Sequence, residues 1–266
     1  MKYLLLAFVV TGCAKPAPTP EALFKKNHQN QNIQNPSWNS MHMVATATYP
    51  NGISGTWNTW VVRGKGKLDV IELSGIGKQV IAYDLENAWE LNPLNGPKLK
   101  EGAEAESLAS MYLRNLNEGD LSKQFTDPEF VGETTFRDIP VYEIKAKPVN
   151  LEHTSVLYLS KKDATLVGNI EKLILEQGEL EVTAYYSEYG TFNGINMPIK
   201  IEQTIPGIQL FIEVQSVTFD GESVPEIKPT PEIQSLIDEK NGVIKEPLPT
   251  EGDKVGEPPT DVPPPQ

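Results

Sequence analysis

The chain has 266 residues, with 23 basic and 36 acidic side chains, one cysteine and three histidines. This length is sufficient for one domain of about 150–200 residues with accessory segments. The formal net charge of −13 argues against a nucleic-acid partner, since phosphate binding requires a basic face. The single cysteine excludes an internal disulfide and a cysteine-rich metal site.

The first thirteen residues predict a lipoprotein signal. A basic start, Met1-Lys2, precedes the apolar stretch 3–10, which is too short to span the roughly 30 Å hydrocarbon core of a membrane as a helix. Val10-Thr11-Gly12-Cys13 follows and resembles the bacterial lipobox, in which the cysteine thiol forms a thioether with diacylglycerol. We expect residues 1–12 to be removed and Cys13 to carry acyl chains. The alternative is an ordinary signal peptide with an incidental cysteine.

Acyl chains on Cys13 predict a membrane-anchored protein that faces the periplasm. Several chains together give stable anchoring, where one chain alone is marginal. Ala14 follows the cysteine, and under the enterobacterial sorting rule a residue other than Asp at this position favours the outer membrane. No cofactor is expected apart from these covalent acyl chains.

Residues 13–37 are predicted to form a tether. The alternating prolines of the segment 16–20 favour a stiff, extended chain. Thr19-Pro20-Glu21 has the order of an N-cap, a first-turn proline and an early acid, so a short helix is expected from about residue 21. The Asn/Gln-rich run 27–35 is a poor helix segment and is predicted to be linker.

From Trp38 onward the pattern is that of an antiparallel β domain, residues 38–222. Apolar and polar residues alternate, as in strands with one polar face, and a change of phase after Gln215 predicts a β-bulge. About ten to twelve strands in close succession indicate a meander curled around a core. The predicted strands cover residues 41–49, 56–63, 67–73, 79–84, 88–91, 129–136, 141–147, 155–160, 169–175, 180–186, 199–202 and 209–219.

One amphipathic helix interrupts the strand pattern between Gly102 and Asp120. Arg114 lies near its end and glutamates crowd its start, an arrangement that favours the helix dipole. A lone helix of this kind must bury its apolar stripe against the concave face of the sheet, and a cavity between the two would be apolar. The stripe consists of residues at helical spacing: Ala105, Leu108, Ala109, Tyr112 and Leu116.

Residues 223–266 are predicted to contain one short helix and a disordered tail. Thr230-Pro231-Glu232 opens the helix and Asn241-Gly242 ends it. Residues 220–266 hold 11 acidic and 4 basic side chains, and the many prolines beyond the helix prevent packing.

The sequence contains no catalytic motif, so we expect no enzyme. No metal site is predicted either, because strand alternation points His42 away from Met41 and Met43. Arg63, Lys65 and Lys67 would share one face of an extended segment. They are then either solvated edge charges or a contact for anionic headgroups or an acidic partner.

Four segments together resemble the outer-membrane lipoprotein-sorting proteins of the LolA/LolB-like superfamily. The first segment is similar to the family's hairpin with a Trp and a Pro, and it reads Tyr83-Asp84-Leu85-Glu86-Asn87-Ala88-Trp89-Glu90-Leu91-Asn92-Pro93. Arg137-Asp138-Ile139-Pro140-Val141-Tyr142-Glu143-Ile144, within 132–145, is similar to its "G-x-P-V-Y-x-L" strand pair. The third segment is similar to the family's "Y-x-D-x-x-T-x-L" turn, and it reads Tyr158-Leu159-Ser160-Lys161-Lys162-Asp163-Ala164-Thr165-Leu166. Tyr186-Ser187-Glu188-Tyr189 with Gly194-Ile195-Asn196-Met197-Pro198 is similar to its final segment.

The resemblance implies a mainly β fold, an incomplete antiparallel β-barrel (a LolA-like half barrel) with a helical plug. In the family an apolar cavity receives lipoprotein acyl chains. The chain departs from the soluble carrier in its Cys13 anchor, which resembles the receptor member, and in Gly64-Lys65-Gly66, where the carrier usually has a Pro-led turn. Arg63 is a candidate for the family's cavity arginine. The candidate cavity residues are Arg63, Trp57, Trp89, Leu108, Tyr112, Leu116 and Tyr186, and for the aromatic members core packing is the alternative.

Two functions follow from these observations. The first is a lipid-anchored envelope protein whose apolar cavity binds acyl chains or lipoproteins, with a role in lipoprotein sorting as the resemblance implies. The second is an envelope interaction or sensor module that uses the same fold to bind a protein partner, for which the acidic Pro-rich tail is the motivation.

Overall fold

A computed structural model describes residues 16–31, 38–175, 178–221 and 224–243. Cys13, the signal segment and the Pro-rich tail lie outside these described residues, so their predicted roles stay predictions. The chain divides into two compact units, Met1–Lys228 and Pro229–Gln266. Among the described residues, no helix is long and apolar enough to cross a membrane.

The first unit is built on one antiparallel sheet of 13 strands. The strand order is β6-β5-β4-β3-β2-β1-β13-β12-β11-β10-β9-β8-β7, so the sheet is open, with β6 and β7 at its edges. The strands are β1 (Ser40–Thr48), β2 (Ser54–Val62), β3 (Gly66–Leu73), β4 (Gly77–Tyr83), β5 (Ala88–Asn92), β6 (Gly96–Lys100), β7 (Phe125–Phe136), β8 (Ile139–Pro148), β9 (Ser155–Ser160), β10 (Leu166–Leu175), β11 (Gly178–Phe192), β12 (Ile195–Ile205) and β13 (Ile208–Phe219).

This architecture confirms the predicted incomplete antiparallel barrel. The sheet consists of two sequential meanders, β1–β6 and β7–β13, joined by the pairing of β1 with β13. The observed strands outnumber the expected ten to twelve because β6 was not predicted. Its sequence, Gly96-Pro97-Lys98-Leu99-Lys100, has the composition of a turn, but a proline and lysines are tolerated on an edge strand.

The predicted bulge in the last strand is also confirmed. The pairing of β1 with β13 shifts register between Val44 and Ala45, whose partners are Ser216 and Val214. The unpaired Gln215 is therefore the extra residue that a bulge inserts into one strand. The shift brings Val214 and Val217 to the same face of the sheet despite their odd spacing.

In the described part of the first unit, three helices accompany the sheet: α1 (Pro20–Asn30), α2 (Ala103–Leu116) and α3 (Leu121–Gln124). Thr19 caps α1 by accepting a hydrogen bond from the Ala22 amide, as its position before Pro20 predicts. The expectation that the chain becomes linker at residue 27 is wrong, because α1 extends to Asn30. The Asn27 side chain is buried and its Nδ2 donates to the Ala164 carbonyl at 2.9 Å, so tertiary packing outweighs a weak helix propensity.

The helices pack on one face of the sheet, which we call the inner face. Leu23 and Phe24 of α1 and Leu121 of α3 form a core cluster with Ile144 and Leu157 of the second meander. Tyr112 of α2 belongs to a second cluster. The predicted plug is therefore made by three helices, not by one.

In the second unit, Pro231–Lys240 forms α4. Its N-cap is Thr230, whose side chain accepts from the Ile233 amide, and its C-cap is Asn241. Both ends agree with the sequence signals that predicted this helix.

Candidate ligand site on the inner face

The strand register identifies which side chains share the inner face with the helices. Met41 is paired with Val61, Val61 with Lys67, and Lys67 with Tyr83. Residues directly opposite each other in antiparallel strands project to the same face, and every second residue along a strand joins them. Met41, Val61 and Tyr83 pack with Tyr112 of α2. The inner face is therefore formed by this row of residues and by every second residue from it along each strand.

Tyr112 fixes α2 on this face. Its ring is 4% exposed and lies 5.9 Å from the ring of Tyr83, centroid to centroid. The Tyr112 hydroxyl donates to the Val62 carbonyl at 3.2 Å and accepts from the Gly64 amide at 3.0 Å. Leu116 packs in the same cluster. The predicted apolar stripe of the helix therefore does face the sheet.

Beyond the helix, the inner face carries an apolar cluster that we call the apolar strip. It consists of Ala45, Ala47, Leu210, Ile212 and Val214. Trp57, Phe192, Ile199 and Ile201, all only half-buried, pack against it. Among the described residues, every member and neighbour of this cluster belongs to the sheet or its turns, and none to a helix. The strip is thus an apolar surface with partly exposed walls.

A buried ion pair borders the apolar strip on β3. Lys67 and Asp69 are each 4% exposed and form a salt bridge. Asp69 also accepts hydrogen bonds from Thr59 Oγ1 at 2.6 Å and from Trp57 Nε1 at 3.2 Å. The indole N–H of Trp57 therefore donates to Asp69, while the rest of the ring packs against the strip.

A second polar group lies between the start of α2 and the edge of the first meander. Lys100 Nζ is 2.7 Å from Glu90 Oε2 and 3.5 Å from Glu104 Oε1 on the helix. Burial alone would raise the pKa of Glu90, but hydrogen bonds from Lys100, Asn92 and Gln79 lower it below its ordinary value. The predicted apolar space between α2 and the sheet therefore does not extend to the start of the helix, because the strands that α2 faces here carry charged inner residues.

A third polar group, which we call the Arg114 cluster, lies at the other end of α2. Arg114 Nη1 donates to Glu171 Oε1 of β10 at 2.7 Å. Asn169 Nδ2 donates to the same oxygen at 2.5 Å, and Tyr186 Oη donates to Asn169 Oδ1 at 3.0 Å. Burial raises the pKa of the Tyr186 phenol above its ordinary value, so Tyr186 acts as a neutral donor.

The structure brings only some of the predicted cavity residues together. Trp57, Tyr112, Leu116 and Tyr186 are on the inner face, and Leu108 is a half-buried residue of α2. Trp89 is paired with Ala82, and Ala82 with Leu68, which places all three on the opposite, outer face. Trp89 is therefore separated from the other candidates by the sheet.

Arg63 also lies away from the apolar strip. It is exposed in the turn between β2 and β3, where its Nε donates to the Trp38 carbonyl at 3.3 Å and its guanidinium lies 5.5 Å from the Trp38 ring. The expected basic face of Arg63, Lys65 and Lys67 is wrong, because the first two occupy this turn and Lys67 is buried in its pair with Asp69.

Sequence reasoning missed Glu171, Asn169 and Glu118 as site residues. A signal for the first two exists, because Asn169 and Glu171 alternate in phase with Leu173 along β10 and therefore point to the side of an apolar residue. Glu118 follows α2 in a turn and offers no comparable pattern.

Two surface clefts lie elsewhere on the first unit. One, of about 350 Å³, is lined by His42 and Trp60 together with Ser40 and Thr218. His42 stacks on Trp60 with ring centroids 4.3 Å apart, on the outer face and away from Met41. The other, of about 690 Å³, surrounds the turn at Gly75. Neither includes a predicted cavity residue, and among the described residues no three His, Cys, Asp or Glu side chains form a metal-binding group.

Each of the four family-like segments forms a hairpin of this sheet. Residues 83–93 connect β4 to β5, residues 132–145 connect β7 to β8, residues 158–166 connect β9 to β10, and residues 186–198 connect β11 to β12. In the second of these, Arg137 and Asp138 both have positive φ angles, 50° and 63°, as a tight two-residue hairpin requires.

Comparison with known proteins supports the architecture. No protein-family model and no curated protein matches the sequence. A DUF1329 family protein from Desulfovibrio piger superposes with a TM-score of 0.50 at 13% identity, covering 77% of this chain and 94% of its own. A LolA superfamily protein from Nitrosomonas europaea superposes with a TM-score of 0.50 at 12% identity, covering 80% of this chain and 99% of its own. The open 13-stranded sheet with helices on its inner face is therefore a LolA-like fold.

Proposed function

We propose that this protein is a lipid-anchored component of the bacterial cell envelope that binds the apolar chains of an amphipathic ligand, such as a lipid or a lipoprotein, on its inner face. The observation that carries this proposal is the apolar strip, which among the described residues has neighbours in the sheet and its turns and none in a helix. Apolar sites with a few placed polar groups are the usual form of small-molecule binding sites. The strip has such groups at Asp69 and at the Arg114 cluster.

Binding in this mode follows from the burial of apolar surface. Ile201 and Ile199 are half-buried beside the strip and would lose water contact when an acyl chain covers them. Each buried methylene contributes about 0.8 kcal/mol, so a chain of several carbons supplies substantial affinity without any catalytic chemistry. The proposal is therefore of a binding protein and not of an enzyme.

Membrane attachment through Cys13 is a separate part of the proposal. It is supported by the lipobox-like Val10-Thr11-Gly12-Cys13 and by the absence of any second cysteine in the sequence. Ala14 supports the outer membrane as the final location. Labelled palmitate should be incorporated into the wild-type protein and lost in Cys13→Ser, and incorporation by that variant would refute the anchor.

The ligand site is tested with the Cys13→Ser chain lacking residues 1–12, using a dansyl-labelled fatty acid as fluorescent probe. The variant Ile201→Asp introduces a charge beside the strip and should weaken probe binding at least about tenfold. Leu94→Asp is the control, since Leu94 is 78% exposed in the turn between β5 and β6, and its affinity should stay within about twofold.

Circular dichroism of both variants shows whether the sheet is retained. Failure of the wild-type chain to bind the probe, or equal affinities of a folded Ile201→Asp and the control, would refute binding at the apolar strip. Loss of binding in Ile201→Asp alone, with the sheet intact, supports it.

A further inference from the structure

The Arg114 cluster adjoins the apolar strip. Tyr186, whose hydroxyl bonds Asn169, is the direct cross-strand partner of Ile201 in the pairing of β11 with β12. Ile201 in turn packs against the strip. A ligand whose apolar chain covers Ile201 therefore ends next to the polar side chains at the end of α2.

This cluster contains polar atoms without partners. Arg114 Nε and Asn115 Oδ1 are both buried and lack a hydrogen-bond partner. Buried polar atoms are nearly always hydrogen-bonded in folded proteins, and each unpaired one costs about 1–3 kcal/mol. The cluster thus offers one free donor and one free acceptor from consecutive residues of the helix.

The charges of the cluster are also unbalanced. Glu171 is neutralised by Arg114 at 2.7 Å, while Glu118, one helical turn beyond Arg114, is a second carboxyl in the same enclosed region. Burial raises the pKa of Glu118 to about 7, and the nearby Arg114 and a hydrogen bond from Asn115 offset this only in part. An ionised Glu118 therefore shares the charge of Arg114 with Glu171 and has no counter-charge of its own.

The cluster is enclosed but not sealed. The side chains of Arg114 and Glu171 keep 18% and 20% of their surface exposed, so a ligand group can reach them. A ligand that completes this site has to supply one positive charge with N–H donors and one hydrogen-bond acceptor.

Building on the proposed ligand site, we propose that the Arg114 cluster binds the head group of an amphipathic ligand that carries a primary ammonium next to an acceptor oxygen, as in an aminoethyl phosphate. The ammonium donates to the Glu118 carboxylate and to Asn115 Oδ1. The acceptor oxygen receives the Arg114 Nε hydrogen. All three unsatisfied requirements of the cluster are then met by one small zwitterionic group.

The test uses lysophospholipids of one acyl chain length that differ only in the head group. Lysophosphatidylethanolamine, with a primary ammonium, should displace the dansyl fatty acid from the Cys13→Ser chain at about tenfold lower concentration than lysophosphatidylglycerol. Lysophosphatidylcholine, which has the charge but no N–H donor, should fall between them. Glu118→Gln should abolish the difference between the first two, whereas Glu106→Gln, at an exposed position of α2, should preserve it.

A pH series provides a second measurement on the wild-type chain. The preference for the ethanolamine head group should decline between pH 8 and pH 5.5 as Glu118 takes up a proton. The groups around Glu118 are Arg114 of α2, Glu171 of β10, Tyr186 and Tyr189 of β11, and His28, whose Nδ1 is 3.4 Å from the Gly119 carbonyl. The variant His28→Gln, which removes the imidazole near Gly119, should leave this decline unchanged.

The outcomes separate the two proposals. Equal displacement by all three lysophospholipids, or a preference that survives in Glu118→Gln, would overturn the head-group proposal and leave acyl binding intact. Absence of displacement by any of them, together with absence of dansyl fatty-acid binding, would overturn the apolar ligand site itself. A free aminoethyl phosphate that competes as well as the lysophospholipid would show that the cluster recognises the head group without the chain.

Discussion

The Asp69 carboxylate interacts with three side chains in an otherwise apolar part of the sheet. It forms a salt bridge with Lys67 and accepts hydrogen bonds from Thr59 and Trp57. Burying two charges costs several kcal/mol per ion, and the pair recovers this only when the remaining lone pairs are satisfied. The hydroxyl of Thr59 and the indole of Trp57 provide that satisfaction. The network therefore holds the Trp57 side chain in a fixed orientation beside the apolar strip.

Removal of Lys67 should be strongly destabilising. Lys67→Met leaves the buried Asp69 carboxylate without its counter-charge and should lower the free energy of unfolding by about 3–5 kcal/mol in urea titrations. Lys65→Met, in the exposed turn, should change it by less than about 0.5 kcal/mol. The double variant Lys67→Met/Asp69→Leu should recover part of the loss. Equal stability of the two single variants would show that the pair carries no such role.

Glu118 should make stability depend on pH. Its pKa is about 7 in the folded chain against an ordinary 4.5, so the folded state binds this proton more tightly than the unfolded state does. The stability it contributes is complete below pH 4.5 and is lost as the pH rises through about 7, by roughly 1–3 kcal/mol. Glu118→Gln should therefore exceed the wild type in stability at pH 8 and differ little at pH 4.5. A constant difference across this range would contradict the assignment.

At the scale of elements, Phe136 at the end of β7 covers a glycine in the sheet. Its ring stacks on Tyr158 with centroids 4.3 Å apart and lies tilted to Tyr185 at 6.2 Å. Gly168 of β10 is paired with both tyrosines, and the absence of a Cβ there leaves room for the Phe136 ring. These contacts join β9, β10 and β11 to the end of β7 on the outer face.

Gly168→Ala tests this contact. A Cβ at Gly168 would overlap Phe136 and the Ala184 carbonyl, so we expect a loss of about 1–3 kcal/mol in unfolding free energy. Gly132→Ala is the matched control, because Gly132 is also a strand residue and a Cβ there meets nothing within 4 Å. Its stability should be unchanged or slightly higher. A similar effect of both substitutions would show that the loss does not arise from this overlap.

Elements with strong local signals were predictable from sequence, and their assembly was not. The N-caps Thr19 and Thr230 and the alternation along β13 depend on neighbouring residues, which the sequence displays directly. The edge strand β6 resembles a turn in composition, and α1 continues through Asn27, whose side chain bonds the Ala164 carbonyl. Both depend on contacts with distant segments.

The candidate site shows the same limit. The apolar stripe of α2 and the candidate Tyr186 followed from spacing and resemblance. The pairing of Arg114 with Glu171 could not follow. The alternation along β10 places Glu171 on the same side as Leu173, but it does not identify Arg114, 57 positions away in the chain, as its partner. The charged inner face of the first meander could not be predicted, because the alternation of residues along a strand does not reveal that Lys67 and Asp69 are buried as a pair.

At the scale of the whole β domain, the open sheet has two edges that must avoid pairing with other chains. β6 has a proline and two lysines, and β7 has Pro128 and two register shifts. Prolines, charges and bulges are the features by which natural sheets prevent such association. The two edges therefore use the same means despite their different lengths.

Replacing Pro128 should promote self-association. Pro128→Val restores an amide donor on the edge strand β7 and should increase the dimer fraction in sedimentation velocity. Thr135→Val, an exposed position of the same strand, adds a similar apolar side chain without changing the backbone donors. A purely monomeric Pro128→Val, or equal association of both variants, would show that the proline does not protect this edge.

The single pairing of β1 with β13 has a consequence for how the domain folds. Every other strand pair joins neighbours in sequence, whereas Met41 is paired with Phe219. Local contacts form quickly, and a contact between distant segments carries the entropy of closing a long loop. We therefore expect the two meanders to form independently and the joining of β1 to β13 to limit the folding rate. Substitutions at this junction, as at Ala45 or Val214, then slow folding, whereas those in the outlying hairpins mainly accelerate unfolding.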